Sequence, residues 1–173
     1  MRQGMQTIYR RSKGLLDFVE NYRKLTRLPA PVRRPVSLNE LLADLRKLFP
    51  ETYVHIHLPE TDRVLQIDRT QIEQVLINLL KNAREACAKR EQPHIEIRVV
   101  PGQSRQCRIT VSDNGEGILP EVLDKVFVPF FTTKPGGQGI GLSLCKQIMN
   151  RHGGNITVQS AIGQGSCFTL QFG

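Results

Sequence analysis

The sequence predicts an α+β fold, a two-layer sandwich of helices and a mainly antiparallel sheet. Apolar residues recur at three- and four-residue steps through residues 68–87, which predicts a long amphipathic helix. Apolar and polar residues alternate on both sides of Pro101 and Gly102, and again on both sides of residues 163–165. Each alternation predicts an antiparallel strand pair, and helices mixed with such pairs are typical of an α+β domain.

The N-terminal segment, residues 5–27, contains no proline and predicts a single helix. Its apolar residues form a short seam with seven-residue spacing, and Leu16 and Val19 widen that seam. The seam consists of Ile8, Leu15, Phe18, Tyr22 and Leu25. We therefore expect a bundle-type helix whose apolar stripe needs a partner helix to cover it.

Prolines end this helix and make residues 29–36 a linker, because proline lacks an amide hydrogen and restrains the residue before it to extended conformations. We place the domain boundary there. Residues 1–28 then form the N-terminal helix, and residues 37–173 form one domain.

Two capping boxes mark helix starts within that domain. Ser37 and Glu40 form the first, which opens a helix to about residue 48, and residues 53–58 then alternate like a strand. Asp68 and Gln71 form the second, at the start of the long helix. A glycine-rich stretch at residues 136–141 precedes a last helix, which we expect to end near residue 151.

The formal net charge is +8, and many of the basic residues precede residue 50. Few aromatic residues lie among them, and the sequence has no nucleic-acid-binding motif. We interpret these charges as a solvated basic face and expect no nucleic-acid partner. The four cysteines and four histidines lack metal-ligand spacing, which predicts reduced structural thiols and no zinc. Since no apolar run has the length of a membrane span, we expect a cytoplasmic chain without membrane contact.

Asn78 and Asn82 lie one turn apart on the long helix and so share one face of it. Asparagine is unfavourable inside a helix, and its amide oxygen is a suitable ligand for Mg²⁺. The alternative is that both are exposed and without a role.

Residues 113–117, with the sequence Asp-Asn-Gly-Glu-Gly, end a predicted strand in a turn. Glycine admits positive φ and lets a flat ligand approach the backbone, and the Asp113 carboxylate can accept a hydrogen bond from an exocyclic amine. A simple hairpin turn without a ligand is the alternative.

The glycine-rich stretch leads directly into the last helix, whose free backbone amides and positive end favour a polyphosphate. Lys134 adds positive charge just before it. The stretch matches neither a P-loop nor a dinucleotide-binding motif, and a flexible linker is the alternative.

Together these motifs resemble the histidine kinase branch of the superfamily that also holds gyrase, the mismatch-repair ATPase and the heat-shock chaperone ATPase. The resemblance covers residues 36–173. The five matching motifs are an N box at 78–83, a first glycine box at 113–117, an F box at 127–134, a second glycine box at 137–141 and a third at 163–165. It implies a Bergerat-type ATP-binding fold, in which helices cover one face of a mixed, mostly antiparallel sheet.

The resemblance also implies ATP and Mg²⁺ as cofactors and assigns site residues. Asn82 would coordinate the Mg²⁺ that bridges the triphosphate, and Asn78 would support it, so both are catalytic candidates. Asp113 would bind the adenine amino group in a pocket shaped by Gly115 and Gly117. The remaining predicted ATP-binding residues are Lys134, Gly137, Gly139, Ile140, Gly141, Leu142 and Ser166.

Residues 119–137 would form a lid over the nucleotide, with Phe127, Phe130 and Phe131 docking it against the domain. Plain core packing is the alternative for at least one of these phenylalanines.

Asn78 separates two activities within the superfamily. Members that hydrolyse ATP carry a glutamate at this position to deprotonate water, and an amide cannot act as that base. The resemblance therefore implies a histidine kinase, which transfers the γ-phosphoryl group to a histidine. None of the four histidines, His55, His57, His94 and His152, has the sequence context of the family's phosphoacceptor.

The N-terminal helix resembles the second helix of the family's dimerisation hairpin. We therefore expect a piece of a longer sensor that lacks the phosphoacceptor histidine and cannot phosphorylate itself. The implied partners are the dimerisation and phosphoacceptor domain of the longer kinase and a response regulator. A homodimer through the N-terminal helix and a membrane anchor in the longer protein are left open.

Two rival functions share the pocket: an ATPase of the gyrase or mismatch-repair type, and a serine kinase anti-sigma factor or ATP-sensing module. The first predicts a catalytic glutamate. The seam and the long basic connector favour the sensor kinase over the second.

Overall fold

The computed structural model of the chain describes residues 2–103, 106–131 and 141–173 and forms the predicted α+β sandwich. In chain order its elements are α1 (Arg2–Thr26), β1 (Arg34–Ser37), α2 (Leu38–Leu48), β2 (Val54–Ile56), β3 (Val64–Ile67), α3 (Arg69–Ala86), β4 (Ile95–Pro101), β5 (Cys107–Asp113), α4 (Pro120–Leu123), α5 (Gly141–Arg151), β6 (Asn155–Ala161) and β7 (Gly165–Phe172). The predicted helices and strand pairs are confirmed.

The main sheet has five strands in the order β2-β4-β5-β7-β6. β2 pairs with β4 in parallel and the other pairs are antiparallel, which confirms a mixed, mostly antiparallel sheet. In register, Ile97 lies opposite Val111, Val111 opposite Phe168, and Phe168 opposite Val158. This row is apolar across four strands because alternate side chains of each strand point to the same face.

Helices α2, α3 and α5 cover that apolar face. α3 packs across β4, β5 and β7, with α2 and α5 beside it. Its buried apolar stripe follows the predicted three- and four-residue steps and consists of Ile72, Val75, Leu76, Leu79, Leu80 and Ala83. Asp68 caps the helix by accepting a hydrogen bond from the Gln71 amide at 3.2 Å, which confirms the predicted helix start. The reciprocal bond of a capping box is not made, because the Asp68 N–H donates to His152 and the Gln71 side chain to the Pro29 carbonyl.

The small antiparallel sheet of β1 and β3 was not expected from the sequence. β1 lies at the end of the proline-rich segment, and Pro35 pairs opposite Gln66 within it. Proline in a sequence argues against a strand, because it has no N–H to donate to a neighbouring strand. A strand at the edge of a sheet nevertheless tolerates it. The partner strand is about 30 residues away, so no short-range pattern reveals the pairing.

The first capping box has its serine bond, and Asp62 from elsewhere in the chain also binds this helix start. The Ser37 hydroxyl accepts a hydrogen bond from the Glu40 amide at 3.3 Å, as expected. The Asn39 amide, however, donates to Asp62 at 3.1 Å, and the Ser37 hydroxyl also donates to Asp62. These contacts hold the pKa of Asp62 below its usual range, with the Ser37 bond as the main cause.

The apolar seam of α1 is exposed over its described side chains. Ile8, Leu15 and Leu16 are 68%, 64% and 66% exposed. Phe18, Tyr22 and Leu25 belong to the same predicted seam, but their side chains lie outside the described residues. Across the described part of the chain, no helix has the length and apolarity needed to span a bilayer.

The segment that follows α1, residues 28–33, is attached to the sandwich by four hydrogen bonds. Two of them join it to the start of α3: Val32 N–H donates to Asp68 at 3.0 Å, and Gln71 donates to the Pro29 carbonyl at 2.9 Å. The other two join it to the end of α5. Arg151 donates to the Leu28 carbonyl, and Arg33 donates to the Arg151 carbonyl at 2.9 Å.

His152 connects the ends of these two helices to each other. Its Nε2 accepts a hydrogen bond from the Asp68 backbone N–H at 3.0 Å, and its Nδ1 donates to the Ile148 carbonyl at 2.8 Å. This pattern requires the neutral tautomer with the proton on Nδ1. The buried ring therefore has a structural role, as its position at a helix end predicts.

We expect Leu76→Ala to lower the free energy of unfolding by about 2–5 kcal/mol, because Leu76 is fully buried and truncation leaves a cavity. Leu48→Ala is the matched control, since Leu48 is 52% exposed and should change stability by about 0.5 kcal/mol or less. Urea unfolding followed by circular dichroism measures both. Similar losses in the two variants would contradict the packing described for α3.

Candidate functional site

The two helix asparagines lie where α3 meets the beginning of α5. Asn78 Oδ1 accepts a hydrogen bond from Gln74 at 2.8 Å, and its Nδ2 donates to the Gly141 carbonyl at 3.5 Å. Asn82 lies one turn further along α3 and is also half-buried. The Asn78 amide is therefore close to the N-terminus of α5, and the positive end of a helix favours an anion.

Cys145 lies behind Asn78 at the interface of α3 and α5. Its sulfur is 3.9 Å from Asn78 Nδ2, and its thiol donates to the Val75 carbonyl at 3.8 Å. Burial raises the pKa of Cys145 to about 12, so the thiol stays protonated at neutral pH. All four cysteines are free thiols.

Asp113 forms the other end of the site, at the end of β5. Its Oδ1 accepts a hydrogen bond from the Gly115 N–H at 2.8 Å, and the backbone N–H of Ser166 is a second donor. Burial nevertheless raises the pKa of the Asp113 carboxyl above its usual range. A carboxylate has about four acceptor positions, so this one retains capacity for a further donor such as an amine.

Two glycine-containing turns, residues 113–117 and residues 163–165, lie on either side of the Asp113 carboxylate and pack closely against neighbouring backbone. We call them the two glycine turns. A Cβ on Gly115 would come 2.6 Å from the Ala86 carbonyl, and one on Gly117 would come 2.2 Å from the Ala161 carbonyl. Gly165 has a φ of +105°, and a Cβ there would come 1.9 Å from the Asp113 carbonyl oxygen. At Gly165 only glycine fits both the backbone conformation and the available space.

Ser166 pairs directly opposite Asp113 across the sheet and is buried. Its hydroxyl lies 2.8 Å from that of Ser160. Ser160 also accepts a hydrogen bond from the Ile118 N–H at 2.8 Å and donates to the Gly165 carbonyl at 2.9 Å. The serine pair therefore joins the turn after Gly117 to the turn before Ser166.

Sequence reasoning missed Ser160 and two further residues that fix these turns. Asn114 accepts a hydrogen bond from the His94 N–H at 2.8 Å and donates to the Gln92 carbonyl at 2.9 Å. Arg90 donates to carbonyl oxygens of both glycine turns. An asparagine inside a turn is a recognisable local signal, whereas nothing in the sequence around Arg90 indicates its contacts.

The described part of the predicted lid, residues 119–131, contains α4 and the three phenylalanines. Phe127 packs edge-on against Phe168 of β7, with ring centroids 6.3 Å apart, and the Lys146 ammonium lies 5.6 Å from its ring centre. Phe130 is 38% exposed and has a φ of 67°, which is rare for an aromatic residue. Phe127 is therefore the member of the group that packs on the sheet.

The phosphate side of the prediction is only partly described. Gly141 is the first residue of α5 and is exposed, and Leu142 packs partly buried against the core. Lys134, Gly137, Gly139 and Ile140 lie outside the described residues. The structure brings Asp113, Gly115, Gly117 and Ser166 together at the end of β5. It also places Asn78 against Gly141, with Asn82 one turn further along α3.

The histidines outside this site have structural partners. His57 and His94 lie 3.2 and 3.4 Å from the same carboxylate oxygen of Glu96, which Arg98 also contacts at 3.0 Å. Arg98 first, and then the two histidines, lower the pKa of Glu96 to about 2. Within residues 2–103, 106–131 and 141–173, no three His, Cys, Asp or Glu side chains form a group that could hold a metal ion.

Comparison with known proteins identifies relatives of the whole sandwich. Residues 67–173 match the family described as histidine kinase-, DNA gyrase B- and HSP90-like ATPases. The chain is 40% identical to the sensor histidine kinase ZraS of Salmonella typhimurium over 111 residues, which are 64% of this chain and 23% of ZraS. It is 38% identical to the alginate biosynthesis sensor protein KinB of Pseudomonas aeruginosa over 169 residues, which are 96% of this chain and 25% of KinB.

Among solved structures, the catalytic domain of the histidine kinase ThkA in a nucleotide-free form is similar to this chain. The TM-score is 0.64 and the sequence identity 33%, over 80% of this chain and 95% of the ThkA domain. The chain spans about a quarter of the length of the curated relatives named above.

We expect Gly165→Ala to lower the free energy of unfolding by about 3 kcal/mol or more, because it combines positive-φ strain with a backbone clash. Gly163→Ala is the matched control. Gly163 has a φ of +77° in the same turn, but its Cβ would meet nothing within 4 Å. We expect it to cost about 1 kcal/mol. Equal losses in denaturant unfolding would contradict the close approach of Gly165 to Asp113.

We expect Asp113→Asn to stabilise the nucleotide-free protein at neutral pH. The raised pKa means that the folded state binds the Asp113 proton more tightly than the unfolded state, so ionisation destabilises the fold. The parent should therefore lose stability relative to the variant as pH rises from the ordinary value of 3.8 through the raised pKa. Thermal unfolding of both proteins from acid to neutral pH measures the difference between their stabilities, and the contributions of the other titrating groups cancel in that difference. A difference in stability that does not change with pH would contradict the raised pKa of Asp113.

Proposed function

The chain belongs to the family of histidine kinase-, DNA gyrase B- and HSP90-like ATPases, in its histidine kinase branch, and we propose how its site works within a sensor kinase. The module binds ATP and transfers the γ-phosphoryl group to a histidine of the longer kinase, for relay to a response regulator. The observation that carries the proposal is the half-buried Asp113 carboxylate, which lies opposite Ser166 between two tightly packed glycine turns.

The adenine end of ATP would lie at Asp113. The carboxylate accepts a hydrogen bond from the adenine amino group, and burial makes that bond selective because an unpaired buried charge is costly. Gly115 and Gly117 let the turns around that carboxylate pack backbone against backbone, and Ser166 supplies a neighbouring hydroxyl. Desolvation that destabilises the empty site thus favours occupation by an amine donor.

The phosphate end would lie at the junction of α3 and α5. The N-terminus of α5 presents backbone N–H groups to the phosphates from Gly141 and Leu142 onward. We assign Lys134, Gly137, Gly139 and Ile140 to the same role on the basis of their place in the second glycine motif.

Mg²⁺ would be held by the nucleotide together with Asn82. Magnesium prefers oxygen ligands, keeps several waters, and is often bound through one protein group and substrate phosphates. The half-buried Asn82 fits that mode, because it offers one amide oxygen as a single protein ligand and leaves the other positions to phosphate oxygens and waters. The ion would neutralise charge on the transferred phosphoryl group, while Asn78 and Asn82 hold the phosphates in place.

Transfer is favoured over hydrolysis by the side chain at position 78. Asn78 is engaged by Gln74 and the Gly141 carbonyl, and an amide has no basic site to deprotonate water. The ATPase alternative needs a carboxylate at this place.

The phosphoacceptor would lie outside this chain. His152 has both ring nitrogens engaged, and His57 and His94 are paired with Glu96. We propose that the exposed seam of α1 packs against the acceptor helix of the longer kinase or against a second copy. We place the module on the cytoplasmic side, where ATP and response regulators are found.

The test is a calorimetric titration of the chain with ATP and Mg²⁺, together with assays of phosphate release and protein labelling. We expect Asn82→Ala to weaken Mg²⁺-dependent binding at least about tenfold, which corresponds to about 1.4 kcal/mol, and Asp113→Asn to weaken ATP and ADP alike. Asn150→Ala is the matched control, because Asn150 is an exposed helix asparagine on α5.

We further expect the chain alone to show no stable phosphohistidine label and slow phosphate release. Absence of ATP binding by the parent would contradict the proposed site. Rapid phosphate release that survives removal of contaminating ATPases would contradict transfer as the function and favour hydrolysis.

A further inference from the structure

Arg90 lies outside every motif of the proposed site, just beyond the end of α3, yet it contacts both glycine turns. Its Nη2 donates to the Gly115 carbonyl at 3.0 Å and to the Gly163 carbonyl at 2.7 Å. A terminal guanidinium nitrogen carries two N–H groups, so one nitrogen satisfies both carbonyls at once. Hydrogen bonds from a charged donor are stronger than neutral ones.

These bonds close a ring that otherwise consists of backbone alone. The Glu116 N–H donates to the Ala86 carbonyl at 3.1 Å, and the Gly163 N–H donates to the Glu116 carbonyl at 2.9 Å. Arg90 completes the ring, because its side chain binds Gly163 and its own N–H donates to Cys87 at 3.0 Å. The end of α3 and the two turns are thus joined by backbone hydrogen bonds and, in addition, by the Arg90 side chain, which contacts both turns.

The two turns orient Asp113 from opposite sides. Gly115 donates its N–H to the Asp113 carboxylate, and the turn at Gly163 leads into Gly165, which lies against the Asp113 backbone. A change in the separation of the turns would therefore rotate or displace the carboxylate. The same ring is continuous with α3, which carries Asn78 and Asn82 near its middle.

We propose that Arg90 is a positioning residue for nucleotide binding: it sets the separation of the two glycine turns and thereby aims Asp113 at the base. This rests on the proposed function, because it assigns a role within that ATP site. Arg90 itself does not contact the nucleotide in this proposal. It acts through Gly115 and Gly163, and it determines how well the site distinguishes adenine from other bases.

The test compares Arg90→Ala and Arg90→Gln with the parent by calorimetry, using ATP and GTP with Mg²⁺. Glutamine keeps two amide N–H groups, but its stem is two bonds shorter, so it cannot span both carbonyls. Lys89→Ala is the matched control, since Lys89 is the exposed neighbour and its removal loses the same charge. Thermal unfolding without nucleotide measures the stability of each variant.

We expect both Arg90 variants to bind ATP about tenfold more weakly, and to lose most of the preference for ATP over GTP. GTP should change little, because guanine carries a carbonyl oxygen at the ring position where adenine carries the 6-amino group that Asp113 would recognise. Lys89→Ala should match the parent in both affinities. Because Arg90→Gln retains polar contacts, it provides the comparison if Arg90→Ala does not fold.

The inference would be overturned if Arg90→Gln bound ATP as tightly as the parent and kept the parent's preference for ATP over GTP. Equal losses for ATP and GTP would also overturn it, because they indicate a loosened domain rather than a misaimed carboxylate. Failure of the parent itself to bind ATP would instead contradict the proposed function, and the inference with it.

Discussion

Burial of one side of α3 against the sheet is the constraint on which the rest of the structure depends. Six apolar side chains from Ile72 to Ala83 face the row formed by Ile97, Val111 and Phe168. That stripe fixes the rotation of the helix about its axis, so Asn78 and Asn82 must lie at its edge, towards α5. The same packing brings the end of α3 to the first glycine turn, where Ala86 accepts the Glu116 amide. Both ends of the site are thus positioned by one buried face.

Several features of the site lower the stability of the domain. A half-buried carboxylate, a positive-φ glycine and backbones at the limit of close contact all lie together around Asp113. Each of these features costs free energy and persists only because the surrounding structure holds it in place. A marginally stable domain can contain only a few of them. Positive-φ glycines are common in hairpin turns, but the partly buried carboxylate and the close backbone contacts beside it distinguish this turn from an ordinary hairpin.

The sequence predicted the elements whose signals are local. The period of α3, the alternation in β4 and β5, and the capping residues Ser37 and Asp68 all act within a few positions of themselves. The two asparagines stood out because asparagine is unfavourable inside a helix, whereas Asp113 stood out through the resemblance of its motif and of the motifs around it to the family. The pairing of β1 with β3 joins segments about 30 residues apart, and Arg90 contacts Gly163, which is 73 residues away in sequence. Side chains that bind carbonyl oxygens leave no pattern, because every residue supplies the same acceptor.

Backbone groups, which every residue supplies, also make most of the hydrogen bonds that attach the segment 28–33, which lies between α1 and the sandwich. Its bonds to Asp68, Gln71 and Arg151 are made by the Val32 N–H and by the carbonyls of Pro29 and Leu28, and only Arg33 contributes a side chain. The attachment therefore follows the main chain of this segment, together with the side chains of Leu28, which packs partly buried against the core, and of Arg33. A substitution at the exposed Val32 keeps the backbone donor to Asp68 whatever the new side chain is, unless the new residue is proline, which has no N–H to donate.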